Sequence, residues 1–351
     1  MPSLQPIFAS GGNFMGEMRN RVVVITGAPS GFGRGAALKF AQAGAKVVLA
    51  ARRKRLLKQV AEECRKSGGE ALVVETDVSS SSEVQELASR AVDKFGKIDV
   101  WVNNAGVGAV ARFDETPLEE HEQVIQTNLM GTIYGSYAVL QQFRKQGKGV
   151  LINVGSFAGK VAAPYLSSYS ASKFGIRGLG MALRQELEAN GEDRIHVCTV
   201  MPVSMDTPFF EHAANHTGKP VQPIPPVYDP QQVVDVIYEV ALDPEDEVIV
   251  GPSGKVGDLA ARLVPGLTER QMGKTAHKAQ MKQKKSAPEK SGSVFKPMRS
   301  GTELYGGWAD KKSSGGSKLA TVLGVAVPIG MGAVYFALQR KRGRRDLERV
   351  A

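Results

Sequence analysis

The chain has 351 residues, 42% hydrophobic and 23% charged, a balance that argues against general disorder and calls for a full globular core. Its net charge of +10 is local: twelve Lys/Arg against four Asp/Glu stand between Gly266 and Lys318, six against two follow Leu338, and the remainder is close to neutral. That distribution argues against a specific nucleic-acid binder and points to a basic tail drawn to anionic lipid headgroups or polyanions; with only two cysteines, Cys64 and Cys198, it also argues against a disulfide framework.

Residues 1–19 lack the positive start and apolar core of a secretory signal and read as a flexible leader. From residue 20 to 265, short β-branched runs alternate with helical patterns. RVVVIT, KVVLAA, EALVVE, IDVWVNN, GVLINVG, IHVCTV and EVIVG read as strands, apolar enough to be covered on both faces. Stretches such as GRGAALKFAQAGA, RLLKQVAEECRKSG and SEVQELASRAVDKFG read as the helices between them. Repeated βα units imply an α/β, Rossmann-like fold: a doubly wound parallel sheet of seven strands. Ser79 to Ser82 supply N-caps, the Asp229-Pro230 pair places a capping side chain before a first-turn proline, and Gly44, Gly68 and Gly96 are helix stops.

Between the first strand and helix stands TGAPSGFG, with Gly27, Ser30, Gly31, Phe32 and Gly33. Glycines let the backbone turn sharply and approach a pyrophosphate, whose charge is favoured by the free N–H groups at a helix start. A glycine triplet alone is a weak signal and equally fits a structural turn.

The TGxxxGxG spacing resembles the short-chain dehydrogenase/reductase family, and other positions carry the resemblance further. Asn103-Asn104-Ala105-Gly106 follows the fourth strand like that family's NNAG motif, and Asp77-Val78 after the third strand matches its adenine-binding pair. The resemblance covers roughly residues 20 to 251. It implies that Asn104, Ala105, Gly106, Asp77 and Val78 join the glycine turn in holding a nicotinamide dinucleotide.

The end of the second strand selects the dinucleotide, because an acidic side chain there would bond a ribose 2′-hydroxyl and repel a 2′-phosphate. This chain has Ala51, then Arg52 and Arg53, and a guanidinium grips a phosphate through parallel hydrogen bonds. NADP is therefore expected over NAD, although Ser30 stands where many NADP-preferring relatives carry a basic residue.

INVGSFAGKVAAPYLSSYSASKFG places Ser156 at a strand end and Tyr169 and Lys173 four apart on one helix face. A phenol of ordinary pKa near 10 is ill suited to neutral pH; an adjacent ammonium and a positive nicotinamide ring would favour its phenolate. Tyr169 is then the acid and base for hydride transfer at a carbonyl carbon, with Ser156 bonding the oxygen. The resemblance adds that Lys173 also binds the nicotinamide ribose, as Tyr169 borders it, and that Asn128 in TNLMG holds a water of the proton relay. Pro202 and Thr207 match positions near the carboxamide, but Val203 stands where relatives have glycine, so a differently set loop is expected there.

His121, His212 and His216 lack a third ligand or an HExxH glutamate, so no metal is expected. Phe209, Phe210 and VQPIPPVY suit either an apolar lid over substrate or ordinary loop packing. After GPSGKVGDLAARLVPGL, a short closing helix, residues 266–318 read as a basic flexible linker. Residues 319–338 form an uncharged run long enough to cross a bilayer once, and 339–351 a basic tail. With no export signal, the catalytic domain is expected in the cytoplasm. The reading is a membrane-anchored NADP-dependent enzyme interconverting a ketone or aldehyde and an alcohol on an apolar small molecule, with membrane lipid as a second partner. A catalytically silent dinucleotide-binding sensor or scaffold is the alternative. The resemblance implies a homo-dimer or tetramer through the helices of Asn128 and Tyr169.

Overall fold

A computed structural model describes residues 18–309. The first βα unit shows why the others follow. β1 (Val22–Thr26) is buried along its whole length, and α1 (Gly31–Gln42) returns over it with Ala36, Ala37, Phe40 and Ala41 inward. The unit repeats through β2 (Lys46–Ala51), α2 (Lys54–Lys66), β3 (Glu70–Glu75), α3 (Ser81–Phe95) and β4 (Val100–Asn103). A short strand β5 (Ala109–Val110), α4 (Leu118–Ile125), a π-helical turn at Gln126–Met130 and α5 (Gly131–Gln146) lead to β6 (Gly149–Val154) and α6 (Ser167–Ala189). Then come β7 (Ile195–Pro202), α7 (Phe209–His212), β8 (Ala214–Asn215), α8 (Gln231–Leu242), β9 (Glu247–Val250), α9 (Pro252–Leu263) and α10 (Pro265–Gln280).

The seven long strands are parallel in the order β3-β2-β1-β4-β6-β7-β9, the doubly wound sheet predicted from the sequence. Strand alternation divides the core in two. Val23, Ile25, Val47 and Leu49 meet Phe40 of α1, Leu57 of α2 and Ile237 of α8; Val22, Val24, Val48 and Trp101 meet Leu87 of α3 and Phe143 of α5. Winding reverses between β1 and β4, and a crevice opens beyond their carboxyl ends, where such sheets place ligands.

Local signals act as expected at several ends. Ser80 caps α3 by accepting from the Glu83 amide at 3.4 Å, while the Glu83 carboxylate accepts from the Asp77 amide at 2.8 Å. Asp229 accepts from the Gln231 amide at 2.8 Å. Val203 does not adopt a left-handed φ; its amide instead continues sheet pairing onto the Val250 carbonyl at 3.1 Å.

Residues 266–309 depart from the expected flexible linker. Residues 265–280 form α10, opened by Pro265 in its first turn, and the following chain packs back on the body through its main chain. Lys290 and Asn215 exchange amide-to-carbonyl bonds of 3.0 and 2.8 Å, Ser293 donates to the His212 carbonyl at 2.8 Å, and the buried Asp206 carboxylate accepts from the amides of Gly306, Trp308 and Ala309. Backbone groups, invisible to composition, order this stretch. Among the described residues no helix is long and apolar enough to cross a membrane; the 319–338 run, the 339–351 tail and residues 1–17 of the leader lie outside them.

Candidate active site

Thr26, the last residue of β1, ties the two dinucleotide motifs together. Its hydroxyl accepts from the amides of Asn104 and Ala105 at 3.0 and 3.1 Å, and the Asn104 side chain donates to the Thr26 carbonyl at 2.9 Å. The glycine turn is drawn so close that a Cβ on Gly33 would collide with the Gly27 carbonyl, and Gly27 itself has φ 67°. The result is a wall of bare backbone at the start of α1.

A cavity of about 370 Å³ runs along the crevice. Of the residues singled out from the sequence, Gly27, Ser30, Gly31, Phe32, Arg52, Arg53, Asp77, Val78, Asn104, Ala105, Gly106, Ser156, Tyr169, Lys173, Pro202 and Thr207 all line it. Gly33 stands behind the turn. Asn128 stands behind Gly106: a Cβ there would lie 3.3 Å from Asn128 Oδ1 and 3.9 Å from Lys173 Nζ. Asn128 is fully buried in the π-helical turn, accepting from the Val107 amide at 2.8 Å and donating to the Val107 carbonyl and the Ser172 hydroxyl at 2.9 and 3.1 Å. It fixes the chain that follows NNAG.

Ser156 caps a short 3-10 turn after β6 and shares a hydrogen bond with the Tyr169 phenol. Lys173 projects from the same face of α6, with Nζ 5.5 Å from the Tyr169 ring centroid and 2.8 Å from the Val154 carbonyl, to which it donates. Burial pushes the phenol up to about 12, against the lowering effect of the Ser156 bond. Burial also pulls the ammonium down to about 8. Desolvation of the tyrosine thus sets the balance at the phenol.

The end of the cavity beside β2 is bounded by Arg52 and Arg53. Arg52 lies 4.0 Å from the Asp77 carboxylate, and Arg53 donates to the Ser30 hydroxyl at 3.1 Å. Burial and the neighbouring Arg52 lower the Arg53 pKa. Both guanidiniums also meet carbonyls from beyond residue 290.

Pattern reading missed most of the opposite wall. Phe209 packs its ring 5.1 Å from that of Tyr169 and touches Phe210 edge-on at 5.2 Å, so these aromatics face the cavity rather than merely filling a loop. Thr268, Gln271, Met272 and Thr275 of α10 add a further side. Their three- and four-residue spacing was the available signal. Tyr165, at φ 66°, reaches α10 through a 2.7 Å contact between its hydroxyl and His277 Nδ1.

Among the described residues no group of three His, Cys, Asp or Glu could hold a metal ion. His216 pairs instead with the buried Glu120 at 2.9 Å.

The geometry suits a nicotinamide dinucleotide: bare backbone where a pyrophosphate must approach, cations and no carboxylate at the end of β2, and a polar trio at the other end. Comparison with known proteins agrees. A sequence profile described as short chain dehydrogenase matches residues 21–217. An uncharacterized oxidoreductase of Bacillus subtilis, YxnA, is 33% identical over 80% of this chain and 79% of its own. A 3-oxoacyl-acyl-carrier-protein reductase of Synechocystis is 33% identical over 69% of this chain and 97% of its own. Among solved structures, a short chain dehydrogenase/reductase from Burkholderia phymatum in complex with NAD superposes with a TM-score of 0.64 at 27% identity, covering 73% of this chain and 97% of that one. An alcohol dehydrogenase from Thermococcus sibiricus complexed with 5-hydroxy-NADP gives 0.56 at 27% identity, covering 66% and 95%.

Proposed function

We propose that this chain, which belongs to the short chain dehydrogenase family, interconverts an alcohol and a ketone or aldehyde on an apolar small molecule, using NADP(H). The convergence of Ser156, Tyr169 and Lys173 on one cavity whose far wall is Phe209, Phe210 and Met272 carries the reading. The dinucleotide, when bound, supplies or accepts the hydride. Gly27, Ser30, Gly31, Phe32 and Gly33 would shape its pyrophosphate site, Asp77 and Val78 its adenine site, Asn104, Ala105 and Gly106 the intervening floor, and Pro202 and Thr207 the carboxamide end.

This chain's own residues move the proton. A phenol held near 12 carries its proton at neutral pH, the form that can donate to a developing alkoxide. Ser156 bonds the same oxygen and orients it toward Tyr169. Lys173 remains mostly protonated at pH 7 and, one helical turn away, stabilises the tyrosinate left after donation. Asn128 positions the Val107 main chain and, in the relay expected of it, holds the water that passes on the replacement proton. The resting ionisation favours reduction over oxidation near neutrality.

The arginines after β2 support NADP over NAD, and the apolar wall supports an acyl, steroid-like or other lipid-derived carbonyl. The uncharged 319–338 run supports anchoring at a membrane, where such substrates concentrate. NADPH consumption across a panel of ketones of graded chain length tests the reaction. Tight dinucleotide binding with no turnover on any of them would favour the sensor reading instead.

A further inference from the structure

The segment 290–309 crosses the mouth of the crevice and sets its carbonyl oxygens on donors that the crevice offers to an anion. Arg52 donates from Nη1 to the Phe295 carbonyl at 2.7 Å and from Nη2 to the Ser293 carbonyl at 2.8 Å. Arg53 donates from Nη1 to the Met298 carbonyl at 2.8 Å. The Gly31 amide, at the start of α1, donates to the Glu303 carbonyl at 2.9 Å. On the far bank the strap is pinned by Asp206, and the Trp308 indole donates to the Thr207 carbonyl at 3.0 Å. On the near side it is pinned by the Lys290–Asn215 pair.

Ser293, Pro297 and Met298 consequently line the same cavity as the arginines. Between the two pins the strap rests on these guanidiniums and also on His212, whose carbonyl takes the Ser293 amide and whose Nε2 meets the Ser300 carbonyl at 2.9 Å. A carbonyl oxygen carries only partial charge, whereas a phosphate is ionised and accepts two parallel bonds from a guanidinium, adding an ion pair that a carbonyl cannot supply. A phosphate reaching Arg52 and Arg53 is therefore the stronger acceptor.

We infer that the strap is a determinant of dinucleotide choice. A 2′-phosphate takes Arg52 and Arg53 from the carbonyls of Ser293, Phe295 and Met298, and residues 293–298 lift. Either dinucleotide brings a pyrophosphate to the Gly31 amide in place of the Glu303 carbonyl, but one with a 2′-hydroxyl lacks the charge to take the arginines and leaves residues 293–298 where they are. The inference rests on the reading of Arg52 and Arg53 as the phosphate site.

Amide hydrogen exchange on the full-length protein, without nucleotide and with saturating NADPH or NADH, reads the strap directly. The Ser293 and Val294 amides, which donate to the His212 and Ser291 carbonyls, are the reporters. NADPH is expected to speed their exchange at least tenfold and NADH to leave it unchanged. No change or slower exchange with NADPH, or equal acceleration by both, overturns the inference.

A substitution in the strap loosens the far pin. Gly307 has φ 71° and no atom within 4 Å of a Cβ position, so Gly307→Val strains only the strap's own backbone. It is expected to tighten NADP binding about five- to tenfold and NAD binding by less, so that the preference for NADP rises; an unchanged preference counts against competition. Titrations of wild-type protein separate the two claims. Equal affinities for NAD and NADP end the phosphate-site reading and the strap inference with it, whereas NADP preference with an unresponsive strap ends only the latter.

Discussion

Lys173 holds its ammonium nitrogen 5.5 Å from the centre of the Tyr169 ring and directs a proton at the Val154 carbonyl rather than at the phenol. The pair is thus arranged for action through space: the lysine charge is fixed by a main-chain acceptor, and the tyrosine hydroxyl is left to Ser156 and the substrate oxygen. Tyr169→Phe keeps the ring against Phe209 and removes only the hydroxyl. It is expected to lower kcat by about 10²- to 10⁴-fold while dinucleotide binding, followed by nicotinamide fluorescence, stays within a few-fold. Full activity in this variant would remove the tyrosine from the chemistry.

The Lys173 environment gives a pH signature in stability. Its pKa is about 8 in the fold against 10.5 for the ordinary side chain, so the unfolded chain holds the proton more firmly. Stability from this group is complete above pH 10.5 and is lost as pH falls toward 8, on the order of 3 kcal/mol in all. Lys173→Met keeps the apolar stem but leaves the Val154 carbonyl without its donor, a loss of about 1 kcal/mol. In urea titrations the variant should exceed wild type at pH 7 by about 1–2 kcal/mol and lose that advantage by pH 10. A gap that stays constant across the window contradicts the assignment.

Removing both guanidiniums tests the cofactor end. Each ionised hydrogen bond is worth about 1.5–3 kcal/mol, so the double change Arg52→Ala and Arg53→Ala should weaken NADP binding by roughly 100-fold or more and NAD binding far less. The ratio of dissociation constants, rather than either alone, is the readout. A ratio unmoved by the double change would place 2′ recognition elsewhere.

Substrate size is set at the α10 wall. Met272 is a flexible filler on that helix face. Met272→Trp should abolish turnover of long-chain ketones and spare small ones, a change in KM profile measurable on a homologous series. Uniform loss across the series would instead mean that α10 had shifted as a whole.

The sheet, the glycine turn and the Ser156–Tyr169–Lys173 set were legible because each is written locally. Continuous apolar runs fit strands covered on both faces, and a four-residue spacing puts two side chains on one helix face. The stretch after Gly266 was not legible, for a physical reason. Its Lys, Ser and Gly composition describes side chains that want water, while its order comes from the carbonyls of Ser293, Phe295 and Met298 and from amides received by Asp206. Main-chain groups are the same in every residue, so no pattern announces where they will find partners far away. The burial of Tyr169 and Lys173 was not legible for a related reason: proximity could be read from spacing, but the extent of desolvation depends on what surrounds the pair.

The bond from Arg52 to Phe295 joins residues 243 positions apart. A nascent chain emerging from its amino end completes β1, β2 and the glycine turn long before it makes the cover that lies over them. During synthesis the crevice therefore stands open to the surrounding pool of nucleotides, and the guanidiniums meet phosphates before they meet their own carbonyls. A cofactor captured at that stage holds the arginines before the late-arriving segment can reach them, making the first occupancy of each molecule a matter of folding order rather than of exchange.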